Sequence, residues 1–315
     1  MIAAPATSES TRSRARRKAI RRTGESKAAY VFLLPWLVGL ALLVIGPMIA
    51  SLYLSFTDYN FLQPPKFIGL ANYVQMFTAD ARYMASVTDT AAYVVVSVPL
   101  QLAFAFALAL LLNLAIRGAA IYRAIFYLPS LLGASVAVAI LWQQVFGRAG
   151  LLNGLLQLLG IPAHTSWVDN PSTSLFTLIL LNAWAFGSPM VIFLAGLRQI
   201  PASLYEAASI DGAGRFRQLR AITLPLLTPI IFFNLILQTI YAFQAFVPAY
   251  IISGGQGGPA DSTLLYTLYL YIEGFGSFKM GYASAMAWVL LLVIGVVTAV
   301  LFLTSRYWVF YGDDE

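Results

Sequence analysis

The chain has 315 residues, of which 60% are hydrophobic and 10% charged, and its mean hydropathy is +0.78. Soluble domains carry about a quarter charged residues, so this composition indicates a membrane protein. The chain has no cysteine and a single histidine, His164, which excludes disulfides, iron–sulfur clusters and multi-histidine metal sites. The net charge of +6 does not indicate nucleic-acid binding, because eight of the 19 basic residues lie within the first 29 positions without aromatic residues for base stacking.

Residues 1–29 are predicted to form a basic tail that lies in the cytoplasm near anionic lipid. A cleaved signal peptide is the alternative, since a basic segment also precedes the apolar run there. That apolar run is too long for a signal peptide, and no small-x-small cleavage site follows it.

Six apolar segments, each near the 20 or so residues that a membrane-spanning helix needs, follow the tail. They run near Tyr30–Tyr53, Ala91–Ala115, Ile125–Phe146, Ser174–Leu197, Leu226–Ile252 and Tyr282–Thr304. Helices are expected because lipid offers no partner to an unpaired backbone group. The sequence therefore predicts an all-α membrane protein, with a six-helix domain over residues 30–304 and a C-terminal tail over 305–315.

The orientation follows from the distribution of lysine and arginine, which concentrate on the cytoplasmic side. With the N-terminus inside, 15 of the 19 basic residues lie inside and four outside. Both termini are therefore predicted to be cytoplasmic. Between the spans, the outer loops Ser55–Thr90 and Gly147–Thr173 each contain an apolar stretch, residues 67–73 and Leu151–Leu159, predicted as a short helix at the membrane surface.

The loop between spans four and five, residues 198–225, is the longest inner loop and is not a simple connector. Apolar residues at helical spacing mark two short helices, and Asp211-Gly212-Ala213-Gly214 interrupts the pattern between them. Gly212 suits a sharp turn or a positive φ. We therefore predict two helices that meet at a glycine corner and form a compact cytoplasmic knob.

This loop resembles the signature of ABC importer permeases: E-A-A, three residues, G, nine residues, I-x-L-P. Here the pattern reads Glu206-Ala207-Ala208, Gly212 and Ile222-Thr223-Leu224-Pro225, with both spacings matched. The resemblance implies the type I importer permease fold and a coupling helix that docks into a separate ATP-binding subunit. The residues implied to dock are Glu206, Ala207, Ala208, Asp211, Gly212, Ala213 and Gly214.

Other segments resemble the sugar-importer permeases related to the larger membrane subunit of the maltose transporter. They are Phe67–Tyr73, Phe126-Tyr127-Leu128-Pro129 and Ile252-Ser253-Gly254-Gly255. The chain lacks that subunit's extra N-terminal spans and large external domain, which leaves maltose itself in doubt as the substrate.

Span five carries a stripe of polar residues that suits a neutral, hydroxyl-rich ligand. Asn234, Gln238, Tyr241 and Ala245 are spaced by four, three and four residues and share one helical face. Amides donate and accept hydrogen bonds, and an aromatic ring covers the apolar face of a sugar. The alternative is that these polar groups only join helix to helix.

The maltose-permease resemblance also implies which residues line the sugar path, by spacing from the coupling loop. They are Trp184, Ser188, Gln238, Tyr241, Ala242 and Ala245, and Gln244 lies beside the same stripe. Ala242 and Ala245 stand where that relative has amides, so the hydrogen-bond pattern is expected to differ.

The resemblance implies a permease subunit in the cytoplasmic membrane of a prokaryote, without catalytic residues, cofactor or metal of its own. Its implied partners are a second permease subunit, with a heterodimer favoured, two ATP-binding subunits that hold ATP and magnesium, and an extracytoplasmic binding protein. The chain has no G-x-x-x-x-G-K-[ST] segment for nucleotide.

Three other functions are alternatives to a sugar importer. A membrane enzyme would need a catalytic constellation in the spans, and none is evident there. A channel or ion-coupled carrier typically relies on buried charges or broken helices, and the spans offer no buried acid for proton coupling. A glycerol-phosphate ester importer has a similar permease plan, but no intramembrane lysine or arginine is available to meet a phosphate.

Overall fold

The computed structural model describes residues 30–114, 118–133 and 135–310, and these residues are mostly helical. The chain divides into two compact units, Met1–Leu54 and Ser55–Glu315. The described part of the first unit is helix α1, Tyr30–Ser55, whose last residue belongs to the second unit. The predicted basic tail over 1–29, and residues 311–315 of the predicted C-terminal tail, lie outside the described residues.

The second unit opens with a hairpin of strands β1 (Thr57–Asn60) and β2 (Gln63–Phe67), paired antiparallel with Thr57 opposite Phe67. Helices follow in chain order, and we number them continuously. They are α2 (Ala71–Thr78), α3 (Ala81–Asn113), α4 (Ala119–Leu132), α5 (Val136–Phe146), α6 (Leu151–Leu158), α7 (Ser174–Trp184), α8 (Gly187–Leu197), α9 (Ala202–Ile210), α10 (Arg215–Gln218), α11 (Leu224–Phe243), α12 (Val247–Ile252), α13 (Tyr266–Tyr271) and α14 (Met280–Ser305). Wider π-type turns, Leu219–Thr223 and Ile272–Gly276, join α10 to α11 and extend α13.

By length and composition, four helices in the described residues could cross a membrane, and six if each bent pair is one span. The four are Tyr30–Ser55, Ala81–Asn113, Arg215–Ile252 and Met280–Ser305. The bent pairs are Ala120–Leu132 with Val136–Leu158, at 97°, and Ser174–Trp184 with Gly187–Leu197, at 41°. The six predicted segments coincide with these six elements, which confirms the predicted fold class.

Two predicted spans were wrongly drawn as continuous helices. The segment Ile125–Phe146 breaks between α4 and α5, and Ser174–Leu197 breaks between α7 and α8. In the second case Pro189 lies in the first turn of α8. Proline is tolerated there because the first N–H groups of a helix have no helical partner, but it would interrupt a helix that continued from α7. The sequence Gly187-Ser188-Pro189 carried this signal.

The outer loop predicted over Ser55–Thr90 is shorter in the structure. Helix α3 begins at Ala81, about ten residues before the predicted start, because Asp80 accepts a hydrogen bond from the backbone N–H of Tyr83 and caps the helix. The segment 67–73, predicted as one short helix, instead ends strand β2 and begins α2. The predicted short helix near Leu151–Leu159 is confirmed as α6.

The core of the second unit lies where α3, α7, α8, α11 and α13 meet. Its largest fully buried side chains include Tyr83, Leu178, Met190, Phe193 and Leu268. Phe106 of α3 contacts Phe193 of α8 edge to face, at 5.6 Å between ring centroids. This packing holds the two halves of the fourth span against α3, which places their break inside the protein.

Candidate functional site: a cavity at two helix breaks and a glycine-cornered knob

The break between α7 and α8 leaves backbone groups without helical partners, and side chains from other helices satisfy them. The Ala185 carbonyl accepts hydrogen bonds from Gln101 Nε2 at 3.0 Å and from Ser130 Oγ at 2.9 Å. The backbone N–H of Ser188 donates to the same Ser130 Oγ at 2.9 Å. Irregular backbone at membrane depth is tolerated only where protein or water satisfies it in this way.

The end of α4 packs directly on this break. A Cβ built on Gly133 would lie 3.0 Å from the Ala185 Cβ, and one built on Gly187 would lie 2.8 Å from the Phe126 carbonyl oxygen. The contact at Gly187 is too close for a side chain because it is with backbone, and the contact at Gly133 is tighter than almost any real Cβ contact. The two broken spans therefore meet at one point, with α3 supplying Gln101 from the side.

A cavity of about 520 Å³ lies against these breaks, within the range typical of small-molecule sites, roughly 300–1,000 Å³. It is lined by Tyr93, Gln101, Ser130, Gly133, Leu178, Leu181, Asn182, Ala185, Ser188, Pro189, Gln238, Tyr241, Gln244, Ala245, Phe246, Val247 and Pro248. None of these lining residues is charged, and the polar groups of the cavity are amides, hydroxyls and backbone carbonyls. In the described part of the chain, no three His, Cys, Asp or Glu side chains gather into a possible metal site.

Most of the predicted path residues lie in this lining. They are Ser188, Gln238, Tyr241, Gln244 and Ala245. Gln238 is 9% exposed, whereas the Tyr241 ring is in the open part of the cavity and 62% exposed. The cavity therefore combines a sheltered amide with an accessible aromatic face, one turn apart on α11.

Two predicted path residues lie outside this lining. Trp184, the last residue of α7, packs against Trp142 of α5 at 5.9 Å between ring centroids and does not line the cavity. Ala242 is 2% exposed and belongs to the hydrophobic core. Both were carried over by spacing alone, which does not report how a side chain packs in the folded chain.

Sequence reasoning missed three lining residues that organise the site: Tyr93, Gln101 and Ser130. Gln101 donates to the Ala185 carbonyl, and its Oε1 accepts from Asn182 Nδ2 at 3.2 Å. The available signal was an amide in the middle of an otherwise apolar segment, which is costly in a membrane unless it has a partner.

The second candidate site is the knob, which we define as residues 202–218. Helices α9 and α10 meet at Gly212, whose φ of +76° is the left-handed conformation predicted for that corner. Neither helix has a buried residue, and two large apolar side chains point outward: Ile210 is 87% exposed and Phe216 76%. Exposed apolar side chains around a tight turn are typical of a docking surface.

Hydrogen bonds within the knob fix its shape. Gln218 Nε2 donates to Ser209 Oγ at 2.9 Å and to the Ala213 carbonyl at 3.0 Å, which ties α10 to α9. The Tyr205 hydroxyl bonds Thr223 Oγ1 at 2.9 Å, which ties α9 to the turn that leads into α11. The knob is therefore connected to the same helix that carries Gln238 and Tyr241.

Of the residues predicted to dock in a partner, five are exposed on the knob and two are half-buried. The exposed residues are Glu206, Ala207, Asp211, Gly212 and Gly214, and the half-buried residues are Ala208 and Ala213. The backbone N–H of Ala213 donates to the Ala208 carbonyl at 2.8 Å, so the inner pair closes the corner. The structure thus brings the seven residues together on one small surface.

A polar cluster lies at the start of α3, around the carboxylate of Asp80. Its carboxylate accepts hydrogen bonds from the hydroxyls of Tyr269 at 2.7 Å and Tyr282 at 2.6 Å. Burial alone would raise the pKa of Asp80, but these two bonds and those from the Tyr83 and Arg82 backbone outweigh it and hold the pKa below its usual value. The cluster fixes the start of α3 against α13 and α14.

Comparison with known proteins gives a consistent set of matches. Residues 76–307 match the family described as binding-protein-dependent transport system inner membrane component. A probable ABC transporter permease protein of Bacillus subtilis, YesP, is 53% identical over 92% of this chain and 94% of its own length. The trehalose/maltose transport system permease protein MalF of Thermococcus litoralis is 32% identical over 87% of this chain and 92% of its own length.

One solved structure shares the fold. It is a chain of a bacterial alginate ABC transporter, crystallised in complex with an alginate pentasaccharide-bound periplasmic protein. The TM-score is 0.79 with 22% sequence identity, over 91% of this chain and 96% of the other. The likeness shows a common permease fold.

Proposed function

Since the chain belongs to the family of binding-protein-dependent transport system inner membrane components, we propose that it passes a neutral sugar or glycoside inward through the cavity at the two helix breaks. The uncharged cavity is the observation that carries this proposal. It offers amides, hydroxyls and an exposed Tyr241 ring, which suit the hydroxyl groups and apolar faces of a pyranose.

The relatives favour a carbohydrate over other neutral ligands. One has trehalose and maltose in its name, and the solved relative was crystallised with a protein that holds an alginate pentasaccharide. A glycerol-phosphate ester is disfavoured, because no lysine or arginine is among the lining residues to meet its charge.

The knob is proposed as the place where nucleotide-driven movement enters the chain. Its exposed Ile210 and Phe216 would lose water on docking, and its internal hydrogen bonds let it move as one body. The proposed partner is an ATP-binding subunit that holds ATP and magnesium, two copies of which serve a pair of permease subunits. The second permease is proposed to be a distinct chain, and a binding protein is proposed to deliver the sugar.

This assignment also sets the proposed orientation. The knob faces the cytoplasm of a prokaryotic cell, and both termini lie on the same side, in keeping with the basic residues concentrated there. The Asp80 cluster, at the other end of α3, then faces outward, and the cavity lies between.

The test measures uptake of a panel of labelled neutral sugars by cells that express the chain with the transport subunits encoded beside it. Gln238→Leu and Tyr241→Ala are expected to lower uptake or shift the preference among sugars, by about 2- to 13-fold for each hydrogen bond lost. Gln75→Leu is the matched control, because Gln75 is exposed on α2 and outside the cavity. Labelled glycerol 3-phosphate is measured alongside the sugars.

The outcomes distinguish a sugar-binding cavity from helix packing and from a phosphate-ester importer. An unaltered sugar profile with a weakened subunit complex would mean that Gln238 and Tyr241 only pack helices. Uptake of glycerol 3-phosphate without uptake of any sugar would replace the proposed substrate with the phosphate ester.

A further inference from the structure

Asn234 is a buried polar side chain whose amide is unsatisfied. It is 0% exposed, and neither Oδ1 nor Nδ2 has a hydrogen-bond partner in the described part of the chain. Burying an amide without partners destabilises a protein, and the cost is larger still where lipid surrounds the helix bundle. Such a group calls for an explanation beyond the packing of this conformation.

Its position connects it to the cavity. Asn234 lies one helical turn from Gln238 on α11, on the side towards the knob, and shares a face with Tyr241. Gln238 and Tyr241 both line the cavity, whereas Asn234 does not. The polar stripe of α11 therefore continues past the inner end of the cavity.

Beyond Asn234 the way towards the knob is closed by tight packing of α8 on α11. A Cβ added at Gly196 of α8 would overlap Ile230 and come within 2.9 Å of Leu227 Cδ2. Leu227 itself is 1% exposed. We define these three residues, Gly196, Leu227 and Ile230, as the inner seal, and Asn234 lies between the seal and the cavity.

A second subunit does not explain the unsatisfied amide. Because Asn234 is wholly buried within this single chain, a neighbouring protein can reach it only if helices packed against α11 move away from it. One of these helices is α8, and its separation from α11 would open the inner seal towards the knob. The movement that opens the inner seal is therefore one that can supply partners to the amide.

We propose that Asn234 is the next polar contact on the substrate path, hydrogen-bonding water or a ligand hydroxyl when the inner seal opens. This inference rests on the proposed transport function and deepens it. In the conformation described here the Asn234 amide has no hydrogen-bond partner. Opening of the inner seal supplies partners, so the unsatisfied amide favours the open state.

The first test uses single cysteines, which are unambiguous because the native chain has none. Asn234→Cys, Tyr241→Cys and Phe232→Cys are introduced separately into the complete transporter in inside-out membrane vesicles. Binding protein and a transported sugar are enclosed in the vesicle lumen, and a charged thiol reagent is added to the medium with and without ATP. Phe232 is the control, since it is 5% exposed on the same helix and packs against Phe302 and Trp308.

We expect Asn234→Cys to be protected at rest and modified at least several times faster during turnover, while Phe232→Cys stays protected. Modification of Tyr241→Cys without any modification at position 234 would overturn the inference and leave the proposed function standing. Failure of the parent transporter to take up any neutral sugar would instead overturn the proposed function.

The second test separates transport from stability. Asn234→Leu removes the unsatisfied amide, so the melting temperature of the complex is expected to stay unchanged or rise, while sugar uptake falls by about 2- to 13-fold. Thr239→Val is the matched control, because Thr239 is buried on α11 outside the cavity lining, and uptake is expected to stay within about twofold of the parent. Parental uptake by a stable Asn234→Leu variant would also overturn the inference.

Discussion

The cavity and the knob are built on opposite principles. The cavity depends on contacts between residues far apart in sequence, such as Gln101 with Ala185 and Ser130 with Ala185. The knob depends on local contacts, such as Gln218 with Ser209 and Tyr205 with Thr223. Polar groups face inward in the cavity, whereas apolar groups face outward on the knob.

This difference determines what a substitution does in each region. A change in the cavity strands a buried partner on another helix, so it disturbs packing and substrate contact together. A change in the knob is relieved by water, so it alters the docking surface and leaves the helix bundle intact. Substitutions that separate these two effects test the comparison directly.

The largest expected effect is at Gln101. Gln101→Leu removes the hydrogen bond to the Ala185 carbonyl, which keeps its bond from Ser130, and the bond from the Asn182 amide, at a cost of about 0.5–1.5 kcal/mol for each bond lost. We expect a lower melting temperature of the purified complex together with a changed sugar preference. Gln75→Leu, on the exposed face of α2, is expected to behave like the parent. A normal melting temperature for Gln101→Leu would show that the helix break does not need its side-chain donor.

Gly212→Val is expected to have the next largest effect, confined to coupling. A β-branched residue at a φ of +76° costs about 1–2 kcal/mol, or roughly a 5- to 30-fold change in population. Sugar-stimulated ATP hydrolysis and uptake should fall while the amount of protein in the membrane stays the same.

A matched control distinguishes coupling from backbone strain. Gly160 has nearly the same φ, +77°, and like Gly212 has open space around a Cβ, but it lies after α6 and outside the knob. Gly160→Val should therefore keep sugar-stimulated ATP hydrolysis. Equal loss in both variants would attribute the effect to strain and not to the knob.

The same division explains what could be predicted from the sequence. The knob was predictable because its helices, its glycine corner and its exposed residues all lie within one loop, where spacing alone fixes geometry. The spans were predictable in number from hydropathy. The break at Gly187-Ser188-Pro189 had a local sequence signal, but the partners that stabilise it did not, because Ser130 and Gln101 satisfy the freed backbone groups from other helices.

Helical periodicity predicted the cavity lining along α11, where it places Gln238 and Tyr241 on one face, and the family resemblance added Ser188. Tyr93 and Ser130 reach the cavity through the packing of α3 and α4, which no local pattern reports. The packing of Trp184 against Trp142, outside the cavity lining, is likewise a contact between helices that no local pattern reports.

A smaller effect is expected at Gln218, which joins the two knob helices. Gln218→Leu loses two hydrogen bonds that water can partly replace, at about 0.5–1.5 kcal/mol. Trypsin cleavage after Arg215 or Arg217 should become about 2- to 13-fold faster, because the local open state is more populated. Gln199→Leu, exposed in the same loop, is the control. Unchanged cleavage of Gln218→Leu would mean that the knob holds its shape without this bridge.

The smallest expected effect is at Asp80. Like the cavity residues, Asp80 joins helices that are distant in sequence, and like the knob it lies near the surface. Its folded pKa is below the unfolded value, so its bonds to Tyr269 and Tyr282 stabilise the protein above about pH 4, and this stabilisation is lost as the pH falls through the folded pKa. Asp80→Asn should lower stability by about 1 kcal/mol at pH 7, because charge-assisted hydrogen bonds become neutral ones. The difference in melting temperature between parent and variant should then shrink as the pH is lowered below 4. Asp58→Asn, exposed in β1, should track the parent at every pH. A difference that grows towards acid would reverse the sign of the linkage and show that the carboxylate is tolerated at the start of α3 and contributes no stability there.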